Sequence, residues 1–383
     1  MSARPFVEAA VNAGYSVVAI DAFSDVQTVA LAEKTLIVSY DDLGFRADDL
    51  LQTLEQLDKG VMALSQFVGC VYGSGFEAQP DLLKKVAEKI PVIGNSSATL
   101  AAVKNASVFF ARMQKLNIRY PETFETLPAD ADLSLYIHKF SGGSGGVHIK
   151  PAKLLQARLA DKHCFFQHKI EGLSVSLLFI ANGDDIQVVG FNGQWVCADE
   201  QSPFRYGGAV SHVNLSMDVQ QQLISAAKQL TSAFGLVGLN SLDAIVEKTS
   251  AGDAQVYVLE INPRLSATVD LYSASDEALF DRHMQACLFK QLTCDIENQS
   301  QGKLRSESKA HAIVYADIDV ELMAGMVWPN WVTDSPTQVN APLKIFAGAP
   351  VCSVHAFADN ADAAKKEVLT RVRQIKNLLQ STH

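Results

Sequence analysis

A strand that runs directly into polar side chains sharing one face constrains this chain more than any other stretch. Val256-Tyr257-Val258-Leu259 is an apolar strand pattern that continues into Glu260-Ile261-Asn262-Pro263-Arg264. Side chains alternate along a strand, so Glu260 and Asn262 point the same way and Arg264 falls on that face too. Upstream, Leu239-Asn240-Ser241-Leu242-Asp243-Ala244-Ile245-Val246 offers a second run with an acid inside it. Lys248-Thr249-Ser250-Ala251-Gly252-Asp253 between them is turn material. A hairpin centred between Ala251 and Gly252 sets Asp243 opposite Glu260. Two carboxylates and an amide then converge, an oxygen set that suits Mg²⁺, which completes its shell with water and phosphate. Arg264 adds a planar fork for an anion. An ordinary hairpin with solvated acids carries part of this pattern; the cross-strand acid and the arginine favour a metal–phosphate site.

A second constellation is Leu135-Tyr136-Ile137-His138-Lys139-Phe140 followed by Ser141-Gly142-Gly143-Ser144-Gly145-Gly146-Val147. A strand ending near Lys139 enters a loop almost free of side chains. The glycines allow sharp turns and bring bare N–H groups onto a phosphate, and the lysine adds a point charge. No Gly-Lys-Ser/Thr closes the loop and no helix opens there, which excludes a P-loop. The expectation is a flexible loop covering a nucleotide, with Ser141, Gly142, Gly143 and Gly145 in its backbone.

The rest of the chain supplies the frame. At 383 residues and 48% apolar it can build two or three packed lobes. A net charge of −10 and the lack of a basic patch exclude a nucleic-acid groove. No run approaches the roughly 18 consecutive apolar residues of a membrane span, and the N-terminus lacks a signal pattern. Six scattered cysteines without a CxxC pair fit reduced thiols and a cytoplasmic location. His148, His163 and His168 have no zinc-like spacing. From Pro5 to about Pro121, strands at Ser16–Asp21, Leu36–Ser39, Cys70–Tyr72 and Val92–Gly94 alternate with helices, which implies a parallel, doubly wound sheet. Ligands in such sheets bind beyond the strand ends, where Gly73-Ser74-Gly75-Phe76-Glu77 falls; that loop reads equally as a tight turn. A strand expected before Ser2-Ala3-Arg4 is absent. One helix is expected from about Ala98 to Leu116 and another from Ser225 to Phe234. Arg205 sits in a loop, Pro203–Ala209, that faces either substrate or solvent. Asn298–Ser308 reads as a polar linker, followed by strands at His311–Ala316 and Val351–Ala356 and a helix from Ala361 to Leu379.

The hairpin and the glycine loop together resemble the ATP-grasp superfamily, over most of the chain. Ser2-Ala3-Arg4, Tyr72–Glu77, Ile93-Gly94-Asn95-Ser96 and Glu260–Asp270 make it most similar to predicted ATP-dependent carboligases related to biotin carboxylase. The resemblance implies an α/β fold of ATP-grasp architecture: an N-terminal doubly wound parallel-sheet domain (1–95), an α+β nucleotide-binding domain (96–295) and an α+β C-terminal lobe (296–383). It implies ATP and Mg²⁺ as cofactors, with Lys104 and Lys139 on the nucleotide, and Gln167, Lys169 and Ile170 in the hinge that holds adenine. The family usually has an acid where Gln167-His168 stands. Asp243, Glu260 and Asn262 match the metal ligands, and Arg264, with Lys139, the groups on the transferring phosphoryl. The implied reaction joins small carboxylate and amine substrates into an amide through an acyl phosphate, in biosynthesis of a one-carbon carrier such as tetrahydromethanopterin; a homodimer is compatible with it. Bicarbonate activation, or ATP binding without turnover, are the alternatives.

Overall fold

The computed structural model describes residues 2–60, 63–155, 163–248, 254–272, 278–292, 307–323, 325–336 and 342–381. The hairpin turn at 249–253 and the polar stretch up to residue 306 lie outside the described residues. In the N-terminal part, Val18–Asp21 pairs in parallel with Lys34–Ile37, and Cys70 bridges Val92 in parallel. The helices Arg4–Asn12, Ala47–Lys59 and Pro80–Ala87 alternate with these segments. Ala47–Lys59 shows why: Leu50, Leu54 and Leu57 recur at helical spacing and are buried, while Asp48 and Asp49 favour its positive first turn. These leucines pack with Tyr72, Phe76 and Leu83 into one core.

The helix expected over Ala98–Leu116 is two helices, Ser97–Lys104 and Ala106–Lys115. Asn105 between them is extended (ψ 111°), and its side chain accepts from the Val108 N–H at 3.1 Å to cap the second helix. Apolar periodicity runs on across a one-residue break, so the pattern alone does not reveal it. The helix expected at Ser225 begins earlier, at Met217 behind the Ser216 cap, and ends at Gly235, whose φ of 64° suits a residue without Cβ.

Two antiparallel sheets follow. The smaller has the order Thr123–Phe124, Cys164–His168, Tyr136–Phe140, Ile149–Pro151. The larger has eight strands: Ala254–Asn262, Val237–Lys248, Leu173–Asn182, Ile186–Val196, Tyr206–Ser211, Ser308–Tyr315, Pro350–Ala358 and Val332–Thr333. Its central strand Leu173–Asn182 is buried on both faces. Leu177 and Phe179 pack on Leu223 and Leu230 of helix Met217–Phe234, while Leu178 and Ile180 pack on Leu265, Val269 and Leu279. Full burial of each such side chain contributes about 1.5–3 kcal/mol. Strand Ser308–Tyr315 pairs with Tyr206–Ser211, so the C-terminal residues extend the central sheet. That pairing covers a strand edge that would otherwise expose unpaired backbone groups. Helix Ala361–Ser381 seals this part through Val368, Ile375 and Leu379. The two sheets and the N-terminal part enclose a cavity of about 1020 Å³.

Candidate active site

The hairpin register explains how the acids meet. Near the turn Lys248 faces Ala254, and continuing that register would set Asp243 against Leu259. A bulge between Asp243 and Ala244 shifts the ladder by one residue, so Asp243 faces Glu260 and Ser241 faces Asn262. Asn262 Nδ2 donates to Asp243 Oδ2 at 2.9 Å. Lys104, at the end of its helix just before the Asn105 break, donates to Glu260 Oε2 (2.9 Å) and Asn262 Oδ1 (3.0 Å). Gln194 Nε2 donates to Asp243 Oδ1 at 3.3 Å.

Charge is unevenly satisfied here. Burial, and then the facing Glu260, push the Asp243 carboxyl up from the usual range. Burial also acts to raise Glu260, but Lys104 and Lys139 prevail and hold it low. The site thus carries more negative charge than its one bonded lysine neutralises. Among the described residues no three His, Cys, Asp or Glu groups cluster tightly enough to hold a metal. Asp243, Glu260 and Asn262 nevertheless fit Mg²⁺, whose preference is for few protein oxygens with waters and phosphates completing the shell.

Arg264 sits on the same face, 6% exposed. Its Nε donates to Glu77 Oε1 (2.8 Å), one terminal nitrogen to Leu265 O (3.3 Å) and the other to Asn262 Oδ1 (3.2 Å). Among the described residues three of its five N–H donors find acceptors, which leaves two for a ligand. Glu77 also accepts from the Gly75 and Phe76 N–H groups at 2.7 and 3.1 Å. The Gly73–Glu77 loop is therefore a built support for the arginine, which the sequence left open between a turn and a ligand loop.

Lys139 is 7% exposed; among the described residues its ammonium makes a 3.5 Å contact to Gln167 Oε1 and lies 5.8 Å from the centre of the Phe165 ring. Burial pushes its ammonium pKa down, Glu260 opposes and Lys104 adds to the fall. No acid among the described residues lies within ion-pair distance of its Nζ, which leaves it poised for an anion. Gln167 is fully buried, with Nε2 on Thr123 Oγ1 at 3.3 Å, so both ends of its amide are in use. Gln167, Lys169 and Ile170 all line the cavity, and Lys169 pairs with Glu171.

The glycine loop reaches the cavity with Ser144, Gly145 and Gly146, whereas Ser141, Gly142 and Gly143 are not among the lining residues. Ser141 N donates to His163 O at 2.7 Å. Gly142 (φ 81°) lies so close to Glu77 that a Cβ would come within 2.4 Å of its carbonyl oxygen. The loop is held against the same residue that anchors Arg264. Sequence reasoning assigned no role to Glu77, read only as part of the Tyr72–Glu77 stretch, or to His148, which lines the cavity and whose pKa burial pushes down to about 4. Neither had a usable signal beyond its place after a glycine-rich stretch. Arg205 pairs with Asp199 at 2.7 Å, donates to Gly348 O and stacks 3.8 Å from the Tyr315 ring, a role between strands.

A lysine-bridged acid–amide hairpin, a second buried lysine and a glycine hairpin around one cavity define an ATP-grasp fold of the α/β class. Residues 104–268 match the ATP-grasp domain, so the chain carries that domain. Its architecture is similar to the biotin carboxylase of Campylobacter jejuni, solved as a β,γ-ATP complex, with a TM-score of 0.66 at 13% identity over 94% of this chain and 87% of that one. By sequence it is 24% identical over 242 residues to the carbamoyl phosphate synthase large chain of Xanthomonas campestris pv. campestris, covering 56% of this chain. The chain spans about a fifth of that relative's length, 22%. It is 23% identical over 252 residues to the tyramine–L-glutamate ligase of Methanocaldococcus fervens, covering 65% of this chain and 72% of that one. No helix among the described residues is long and apolar enough to cross a membrane.

Proposed function

We propose that this chain is an ATP-dependent ligase that joins a small carboxylate to an amine. The observation that carries the reading is the convergence on one cavity of Asp243, Glu260 and Asn262 with uncommitted donors on Lys139 and Arg264. A metal held by the hairpin oxygens would supply charge neutralisation at the phosphates. Attack of the substrate carboxylate oxygen on the γ-phosphorus breaks the β–γ bridge, releasing ADP and leaving an acyl phosphate. Attack of the amine nitrogen on the acyl carbon then expels phosphate, and the nitrogen gives up a proton. The chain's part is positioning and charge. Lys139 meets phosphate oxygens, Lys104 keeps Glu260 and Asn262 aligned, and Arg264 holds the transferring group with its two spare N–H donors. The glycine hairpin excludes water, which protects the acyl phosphate from hydrolysis. The match to a tyramine–L-glutamate ligase supports amide formation. No cavity residue singles out a one-carbon carrier, so the substrates are given by class alone.

The test is ADP formation with a panel of carboxylates, each with hydroxylamine present to trap an acyl phosphate as a hydroxamate. A Mg²⁺-dependent, carboxylate-dependent hydroxamate is the expected result. ADP formed with bicarbonate alone would replace this reading by bicarbonate activation. Tight MgATP binding with no ADP from any acid would leave a nucleotide-binding protein without turnover.

A further inference from the structure

Arg264 takes its support from a distant part of the chain. One short segment of the N-terminal part, Tyr72–Glu77, grips the residues on both sides of it and the side chain itself. Tyr72 Oη lies within hydrogen-bond distance of Pro263 O (3.1 Å) and Asn95 O (2.9 Å), and Leu265 N donates to Tyr72 O at 3.4 Å. Arg264 Nε donates to Glu77 Oε1 at 2.8 Å. The other carboxylate oxygen, Oε2, accepts from the Gly75 and Phe76 N–H groups at 2.7 and 3.1 Å. Glu77 is 4% exposed and Arg264 6%, so little water competes for the pair. The segment is also backed from behind. Phe45 N donates to Gly75 O at 3.2 Å, and a Cβ on Gly44 would come within 2.1 Å of that oxygen.

The glycine loop seats on the same residue. A Cβ on Gly142 would come within 2.4 Å of Glu77 O and 2.8 Å of Ala78 Cα. At its other end the loop is fastened across the cavity: Tyr206 N donates to Gly145 O at 2.9 Å, and a Cβ on Gly146 would come within 2.0 Å of Phe204 O. Glu77 therefore meets the covering loop with its main chain and Arg264 with its side chain. The place of that second contact matters. A bond to Nε, together with the 3.2 Å bond from a terminal nitrogen to Asn262 Oδ1, sets the plane of the guanidinium and hence the direction of its spare N–H donors. An ammonium tolerates rotation; a planar fork aimed at a reacting group does not.

We propose that Glu77 is a positioning residue for phosphoryl transfer: it fixes the plane of Arg264 and, through its contact with Gly142, makes that alignment depend on the seated glycine loop. This assignment rests on the ligase reading, which places Arg264 on the transferring group, and adds the residue through which that arginine is aimed. Binding of the nucleotide diphosphate does not call on Glu77, whereas the transferring phosphoryl does. An amide accepts on one side only, so Glu77→Gln can serve either Arg264 or the Gly75 and Phe76 N–H groups, and not both.

The experiment uses the full chain with Mg²⁺ and ADP, and aluminium fluoride as the mimic of the transferring phosphoryl. It measures MgADP affinity by calorimetry and the release rate of labelled ADP with the fluoride present. The fluoride is expected to slow ADP release from the parent. Glu77→Gln and Arg264→Lys should each speed release from that complex about tenfold or more, with MgADP affinity unchanged. The double variant should be no worse than the poorer single one, because both changes act through one guanidinium. Glu77→Asp keeps the charge but not the reach, and carries the same cycle if Glu77→Gln does not fold. Gly142→Ala should speed release in the parent and add nothing in Glu77→Gln. Parent-like release from Glu77→Gln, an equal fall in its MgADP affinity, losses that multiply in the double variant, or a Gly142→Ala effect of equal size in both backgrounds overturns the positioning role. The assay needs neither acid nor amine. Coupled losses with no hydroxamate from any acid therefore overturn the ligase reading alone, and multiplying losses in a chain that forms hydroxamate overturn the positioning role alone. Fluoride without effect on the parent removes the phosphoryl site and both with it.

Discussion

Replacing Lys139 and Lys104 separately by methionine should change the ligand-free protein in opposite directions. Lys104 bridges Glu260 and Asn262 at 2.9 and 3.0 Å. Its removal leaves Glu260 facing Asp243 with no bonded cation. Breaking a sealed buried pair costs about 3–5 kcal/mol. The Glu260 side chain is 36% exposed toward the cavity, so water screens part of the loss and the expected cost is about 2–3 kcal/mol. Lys139 has no carboxylate partner among the described residues, only the 3.5 Å contact to Gln167 and the Phe165 ring 5.8 Å away, and burial already disfavours its charge. Methionine there has similar length and no desolvation penalty, so ligand-free stability should hold or rise by on the order of 1 kcal/mol. ATP affinity should fall in the same variant by about 1.5–3 kcal/mol, roughly ten- to a hundredfold. Urea unfolding of the ligand-free proteins, paired with calorimetric titration of MgATP, measures both quantities. A Lys139→Met protein destabilised as much as Lys104→Met, or one that keeps parent ATP affinity, would refute the assignment of Lys139 as a phosphate lysine.

Three further outcomes are expected. Glu260→Gln keeps an acceptor for Lys104 but removes charge from the hairpin, so Mg²⁺-dependent ADP formation should be lost while the melting curve stays near that of the parent; normal turnover in the folded variant would remove the metal site. Arg264→Lys keeps the charge but cannot span Glu77 and Asn262 together, so ATP should bind nearly as in the parent while single-turnover ADP formation slows about tenfold or more; an unchanged rate would make Arg264 structural. His283 and His311 are buried and neutral, both pushed down to about 4, so the unfolded chain takes up more protons than the folded one below about pH 6.5. These histidines stabilise fully above that pH and lose about 1 kcal/mol each by pH 5.5, while Asp243, raised to about 7, acts in the opposite direction; in an Asp243→Asn background, equal urea midpoints at pH 7.5 and 5.5 would contradict the histidine contribution.

The sequence by itself determined what is local. Alternation along Val256–Asn262 placed Glu260 and Asn262 on one face, helical spacing placed Leu50, Leu54 and Leu57 inside, and the glycines after Lys139 marked a loop that returns as a hairpin. The period of each element is written in neighbouring residues, so neighbouring residues suffice to read it. The tertiary structure decided everything that depends on distant partners. The break at Asn105 is invisible to periodicity because an asparagine serves equally as a helix surface residue or as a cap. The bulge that sets Asp243 against Glu260 depends on strand pairing beyond the hairpin turn. Glu77 meets Arg264 across 187 positions, Lys104 meets Glu260 across 156, and Arg4 meets Asp334 across 330. A buried charge must find its counter-charge wherever packing delivers one, and no local pattern records that choice. Lys104 was assigned through family resemblance; the pairing of Glu77 with Arg264 and of Arg4 with Asp270 and Asp334 emerged only when the N-terminal part, the hairpin and the C-terminal strands closed around one cavity.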